Sequence, residues 1–223
     1  MTWIDLGNPR PHNTPRQYTL VDWPDIGLIT LPVPKASIHK SFIETVMNRR
    51  SRRIFKPVDK QTLADILWLS ASVQARIESN FGFDLELRPV SSGGAIHPIH
   101  ILINFPENNR WYRYDTEQHV LRAVQLSAPI EAGLNQCIDE IMPRQEALAM
   151  LFLAEPGKTF AKYENTCSLI WRDAGIILGH LTLVAEAYAL NFCPLGITGE
   201  PWASQLCEKG NLVGVGMALL GTR

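Results

Sequence analysis

Cysteine is scarce in this chain of 223 residues, and Cys137, Cys167, Cys193 and Cys207 form neither a C-x-x-C pair nor a disulfide framework. Free thiols in a reducing, cytoplasmic setting are the expectation. Neither sign of charge is in excess: 21 Lys and Arg face 22 Asp and Glu. That balance lacks the basic surplus of a dedicated nucleic-acid binder, so no nucleic-acid partner is expected. Long apolar runs are missing too. The most hydrophobic stretch, Ala174–Ala185, is bounded by Asp173 and Glu186 and contains His180. It falls short of the ~20 residues a membrane span needs, which predicts a buried helix and no membrane partner. Met1–Arg16 is polar and carries prolines, so no secretory leader is expected. His97 and His100 have no carboxylate or cysteine in ligand register, and no metal site is predicted.

What the chain does have is a core-forming composition, 46% hydrophobic against 19% charged, with six Trp. Residues 1–37 hold Pro9, Pro11, Pro15, Pro24, Pro32 and Pro34 without a sustained period, and read as an extended arm packed on a surface by Trp3, Ile4, Leu20, Trp23 and their apolar neighbours. Residues 38–223 read as one domain. Ile38, Phe42, Ile43 and Val46 predict a helix from Ser37 that ends in an arginine cluster, and a second helix follows Pro57 with Asp59 as N-cap. Leu85–Leu87 and Ile99–Phe105 are strand-like, and Trp111–Tyr114 with Val120–Val124 forms a hairpin. Pro129–Ile141 is helical, Ala147–Ala154 is a strand stopped by Pro156-Gly157, and Thr166–Leu190 is one long central helix whose Gly175 and Gly179 admit a close neighbour. A short helix near Ala203–Glu208 and a strand Leu212–Leu220 complete an α+β fold, a mixed and mostly antiparallel central sheet flanked by helices.

Three segments carry chemistry. Arg49, Arg50, Arg52 and Arg53 crowd around Ser51, within a first sixty residues that hold ten basic against five acidic side chains. Arginines in a last helical turn complement the macrodipole, but one or two suffice for that. Four in five positions repel one another unless an anion intervenes, and guanidinium forks beside a hydroxyl suit a phosphate monoester. A solvated basic face is the competing reading. Ser91-Ser92-Gly93-Gly94 offers hydroxyls and backbone N–H groups to a planar ring, though it lacks the G-x-G-x-x-G spacing and is on its own a Gly-rich turn. Cys193-Pro194-Leu195-Gly196-Ile197 exposes backbone after the long helix, and alone is an ordinary helix exit.

In this order the pieces resemble the SagB-type dehydrogenase branch of the FMN-dependent nitroreductase superfamily. Arg49-Arg50-Ser51-Arg52-Arg53-x-Phe55 is similar to its R-R-S-x-R-x-F, and Leu63–Leu69 to the helix that follows. Ser91 to Pro98 resembles P-S-A-G-A-L-Y-P, Trp111–Asp115 a Y-x-Y-D hairpin, Gly179-His180 an A-G-H helix, and Cys193-Pro194-Leu195-Gly196 a C-P-I-G turn. The resemblance covers about residues 40–223. It implies a nitroreductase-like fold, bound FMN and a homodimer with FMN at the subunit interface. By position it assigns Arg49, Arg50, Ser51, Arg53 and Arg223 to the phosphate and ribityl chain, Ser91, Ser92 and Gly93 to the ring from the partner subunit, and Gly196 and Ile197 to backbone contacts near flavin N5. Lys162-Tyr163 matches the catalytic Lys-Tyr pair of azoline oxidases in that family. The substrate is then a small molecule or a peptide-borne heterocycle, with NAD(P)H as reductant in the reductase case. Ser91 replaces the family's proline, His97 its tyrosine, and Ala95 the asparagine that ordinary nitroreductases keep. No long C-terminal arm like that of many relatives is expected, and the N-terminal arm would take its place. These departures leave a non-catalytic flavin- or nucleotide-binding sensor or partner subunit as the alternative.

Overall fold

Strand β8 (Leu148–Ala154), Leu-Ala-Met-Leu-Phe-Leu-Ala, is buried along its whole length, and a strand without a polar face needs a packed layer on each side. The computed structural model, which describes residues 3–37, 40–207 and 211–223, supplies both. β8 lies inside a seven-stranded sheet of order β10 (Asn191–Leu195), β11 (Val213–Gly221), β8, β5 (Ile99–Asn104), β6 (Trp111–Asp115), β7 (Val120–Val124), β2 (Leu28–Thr30). Expected to be mixed and mostly antiparallel, the sheet pairs antiparallel at every step.

Alternation along β8 divides the core. Leu148, Met150, Phe152 and Ala154 join helices α2 (Lys60–Ala71) and α5 (Cys167–Ala187) on one face. Ala149, Leu151 and Leu153 join helix α3 (Ala128–Asp139) on the other. Helix α2 begins as the sequence predicts: the Asp59 carboxylate accepts from Thr62 N at 3.0 Å, and Leu63, Ile66, Leu67 and Ser70 are buried.

Several elements depart from expectation. Helix α1 (Phe42–Asn48) starts later than Ser37, behind a capping box in which Ser41 and Glu44 bond each other's backbone N–H; Ile38 lies outside the described residues. Its Phe42, Ile43, Val46 and Met47 point outward. Pro156-Gly157 does end β8, but Pro156 also opens helix α4 (Pro156–Lys162), a position where a missing N–H costs nothing. β10, expected as a helix exit, is an edge strand paired with β11. The helix near Ala203 is one 3₁₀ turn, Ala203–Gln205, and Glu208 is not described. Strands β3 (Ala75–Ile77) and β4 (Leu85–Leu87) form a separate hairpin.

Helix α5, expected to be a buried central helix, is buried on one face only. Ile170, Ala174, Ile177, Leu181 and Ala185 pack on the sheet, while Trp171, Gly175, Ile176 and Gly179 face outward. At 21 residues it is also long and apolar enough, by length and composition, to cross a membrane; here one face is committed to the sheet and α2. The arm runs over the domain. Strand β1 (Arg10–Pro11) pairs with β9 (Tyr163–Glu164), β2 adds the last strand of the sheet, and Val21 and Trp23 cover the second core cluster. Trp3 and Ile4 remain exposed, at 91% and 76%.

Candidate functional site

The basic segment leaves α1 rather than finishing it. Arg49 is the C-cap, its N–H bonded to Thr45 O, and Arg50–Phe55 runs without regular secondary structure, through a tight Arg52 N to Arg50 O bond, to a bridge between Lys56 and Thr222. Asn191 Nδ2, at the head of β10, donates to Ile54 O at 2.6 Å and fixes the segment there. The arginines do not share one fate. Arg52 donates to the buried Glu186 carboxylate at 2.8 Å, and so does Arg223, to both oxygens at 2.8 Å. Lys40 completes the set at 2.9 Å. Burial pushes the Glu186 carboxyl up, but the hydrogen bonds from Lys40, Arg223 and Arg52 win and hold it at about 2. Arg50 bonds only the Met47 and Arg49 carbonyls, and Arg49, Arg50 and Arg53 have no carboxylate partner among the described residues. Ser51 is exposed beside them.

Further along the same edge, Leu195 pairs with Met217 and the Ile197 carbonyl accepts from Met217 N at 3.1 Å. Between them Gly196 is exposed, and a side chain there would meet nothing within 4 Å. The edge offers bare backbone to anything flat.

The Ser/Gly turn is built differently. Ser92 Oγ donates to Asp173 Oδ2 at 2.6 Å and Gly93 N to Asp173 Oδ1 at 2.9 Å. Ser92 Oγ also accepts from His97 N at 3.0 Å. On the opposite side α4 presents two lysines one turn apart: Lys162 Nζ donates to Gly94 O and Lys158 Nζ to His97 O, each at 3.2 Å. Gly94 (φ 72°) sits so close to Tyr163 that an added Cβ would lie 2.6 Å from its hydroxyl, which only glycine satisfies. Ala95 (φ 60°) and His97 (φ 48°) share the left-handed region and are held there by these bonds. The turn's hydroxyl, N–H and carbonyl groups are thus largely spent within the chain, and Ser91 is left exposed.

Burial pushes Lys158 down to about 8, with Arg88 adding to it, and burial with Arg88 holds His97 at about 4. By exposure Lys158 is the buried lysine of this region and Lys162 is half-buried. His100, in β5, bonds Glu155 at 2.8 Å, and His180 bonds the Leu69 carbonyl at 3.0 Å. The cavity beneath the turn, lined by Arg88, Ser91, Ser92, His97, Asp173 and Ile177, is about 10 Å³, room for a water and for no organic ring. A cavity of about 320 Å³ lies at the far side of the sheet between Asn109, Trp111, Leu126 and Glu131, away from every predicted site residue.

No family model and no curated protein sequence matches the chain. Solved structures do. A protein from Ralstonia eutropha assigned as a nitroreductase superposes with a TM-score of 0.66 at 19% identity, over 94% of this chain and 97% of that one. The Escherichia coli microcin synthetase McbBCD complex, solved with truncated pro-MccB17 bound, gives 0.60 at 16% identity, over 88% of this chain and 78% of that one. A nitroreductase family protein from Clostridium novyi gives 0.53 at 14%, over 82% and 85%. The chain has a nitroreductase-like fold.

On this nitroreductase-like fold the predicted residues form two groups at opposite ends of α5. Arg223 meets Glu186 at its C-terminal end, where Arg52 also bonds Glu186 and carries Arg49, Arg50, Ser51 and Arg53 beside it in the chain, with Gly196 and Ile197 further along the β10 edge. Ser91, Ser92, Gly93, Lys162 and Tyr163 gather at Asp173. Thirteen residue steps along the helix separate Asp173 from Glu186, roughly 20 Å at 1.5 Å per residue. Sequence reasoning missed Glu186, Lys158 and the role of Asp173. Asp173 had a signal: it lies one turn from both Ile170 and Ile177, at the margin of the buried face. Glu186 had none, since its three partners come from remote segments.

Proposed function

We propose that the chain is an FMN-dependent oxidoreductase acting as a homodimer with a flavin site at each end of the subunit interface. The observation that carries this reading is at the C-terminal end of α5, where Arg52 and Arg223 meet on Glu186 while Arg49, Arg50 and Arg53, next to Arg52 in the chain, lack carboxylate partners among the described residues and Ser51 between them is exposed. That chemistry fits a phosphate monoester. The bare backbone at Gly196 and Ile197 fits the flat ring to which such a phosphate would be tethered. A bound flavin would supply hydride transfer at N5. The chain's part is to hold the phosphate and ribityl chain with the basic residues, and to leave Gly196 and Ile197 against the ring.

The two-ended arrangement supports the dimer. Two copies of α5 related by a two-fold axis perpendicular to the helix would run antiparallel, with the Asp173 end of one beside the Glu186 end of the other. The outward faces suit that contact, since Gly175 and Gly179 are open and Trp171 and Ile176 of α5 and Phe42, Ile43 and Met47 of α1 are exposed. Ser91, Ser92 and Gly93 would then approach the partner's ring. Ser92 and Gly93 already donate to Asp173, so their part is packing and Ser91 keeps the free hydroxyl.

NAD(P)H-driven reduction of a small acceptor is the first reading of the reaction. A peptide-borne substrate is the second, supported by the likeness to the microcin synthetase complex and by Lys162 and Tyr163 standing on the Ser/Gly turn. Purified protein should carry or take up FMN, seen as flavin absorbance released on denaturation, and R50Q with R53Q should weaken FMN binding at least about tenfold. Quinone-dependent NADPH oxidation supports the reductase. Turnover of an azoline peptide alone, lost in K162A, supports the dehydrogenase. Flavin binding without either turnover supports the sensor, and colourless protein that refuses added FMN removes the reading altogether.

A further inference from the structure

Three cations from separate stretches of chain converge on one carboxylate. Lys40 precedes α1, Arg52 follows it, and Arg223 follows β11. Glu186, 2% exposed, receives all three at 2.8–2.9 Å, and Lys40 also donates to the Glu186 carbonyl at 2.9 Å. A carboxylate in the last turn of a helix stands at the unfavourable, negative end of the macrodipole. Its presence there is explained only by what it holds.

The local charge does not close. Lys40, Arg52 and Arg223 bring three positive charges to Glu186, and Arg49, Arg50 and Arg53 stand close in sequence without a carboxylate among the described residues. Glu186, even with Glu44 near Lys40, can order the cations but cannot neutralise them. A doubly charged anion is the complement that remains.

We infer that Glu186 is the positioning residue of the phosphate socket: it assembles Lys40, Arg52 and Arg223 into a fixed cationic wall and thereby sets the preference for a phosphorylated flavin over an unphosphorylated one. The inference rests on the flavin reading above. In this role Glu186 touches no flavin atom. The opposite role, a stand-in anion displaced by the phosphate, requires Glu186 to leave its partners. With 2% exposure and three segments closed over it, it has no path out short of opening the end of α5.

The two roles differ in sign. Fluorescence titration of the full chain with FMN and with riboflavin reads the selectivity, and E186Q and K40M test it. If Glu186 positions, E186Q loses at least about tenfold in FMN affinity with riboflavin unchanged, because three cations lose their common anchor. K40M removes one spoke of the hub and lowers the FMN-to-riboflavin ratio less, in the same direction; it decides the matter if E186Q does not fold. An unchanged ratio, or tighter FMN binding in E186Q, overturns the inference while leaving the flavin reading intact. Failure of the unaltered protein to bind either flavin removes both.

Discussion

Ser92 and Asp173, 81 residues apart, are joined by a 2.6 Å hydrogen bond from the serine hydroxyl to a carboxylate that is 5% exposed. This bond, with its companion from Gly93 N, converts a flexible Ser/Gly run into a fixed ledge on α5. It also means that the most ligand-like donors of the run are engaged before any ligand arrives.

Replacing Asp173 by Ala strands the Ser92 hydroxyl and the Gly93 N–H in a buried setting. The expected cost is about 2–4 kcal/mol, since each group loses a charge-assisted bond without a replacement. D173N keeps the shape and one acceptor oxygen and should lose less. Urea unfolding midpoints of the three proteins check the order, and D173A as stable as the parent would show that the ledge is held elsewhere.

How much of this was legible beforehand depends on range. Strand β8, the Trp111–Val124 hairpin and the Asp59-capped helix were readable because their signals are local: an apolar run, an alternating pair around a turn, a cap beside a periodic stripe. β10 was missed because Asn191–Leu195 is short, follows a helix directly and contains Pro194, which an edge strand tolerates. Helix α4 was missed because Pro-Gly reads as a breaker although Pro is at home in a first turn. The site divides likewise. The crowding of Arg49 to Arg53 announced an anion, but not that Arg52 would find its own across 134 residues. The pairing of Ser92 with Asp173 is equally remote, and no spacing rule reaches it.

Lys158 supplies a pH signature. Burial, then the neighbouring Arg88, lowers it from 10.5 to about 8. Its charged form is therefore disfavoured in the folded state, and that penalty is present below pH 8 and relieved as pH rises toward the unfolded value. Folding stability should climb between pH 8 and 10, where the unfolded chain holds a proton that the native chain has released. Above pH 10 the half-buried Tyr18 and the buried Tyr114, both pushed up chiefly by burial, work in the other direction, so the window closes there. Denaturant unfolding at intervals from pH 7 to 10 should show the rise in the parent and its loss in K158M; an equal slope in both would assign the effect to another group.

The last relationship concerns the arm. Gly157, the second residue of α4, lies directly under the Tyr18 ring, and a Cβ built on it would stand 1.9 Å from Tyr18 Cε2. The same stretch is tied down by Arg16 N to Ala161 O at 3.1 Å and Tyr18 N to Phe81 O at 2.8 Å. In an exposed helix, glycine to alanine gains about 1 kcal/mol of propensity. Here the methyl evicts an aromatic ring, and a net loss of about 1–3 kcal/mol is expected. G157A should therefore free the arm, read as faster tryptic cleavage after the exposed Arg16 under native conditions. Y18A should free it as well, by removing the ring itself. The double variant separates the clash from a general loss of stability: once the ring is gone, alanine at 157 meets no obstacle and its helix propensity counts in full. G157A/Y18A should then be more stable than Y18A alone, although G157A is destabilising in the parent. If alanine at 157 costs the same with and without the tyrosine, Tyr18 is not the residue that clamps the arm to α4.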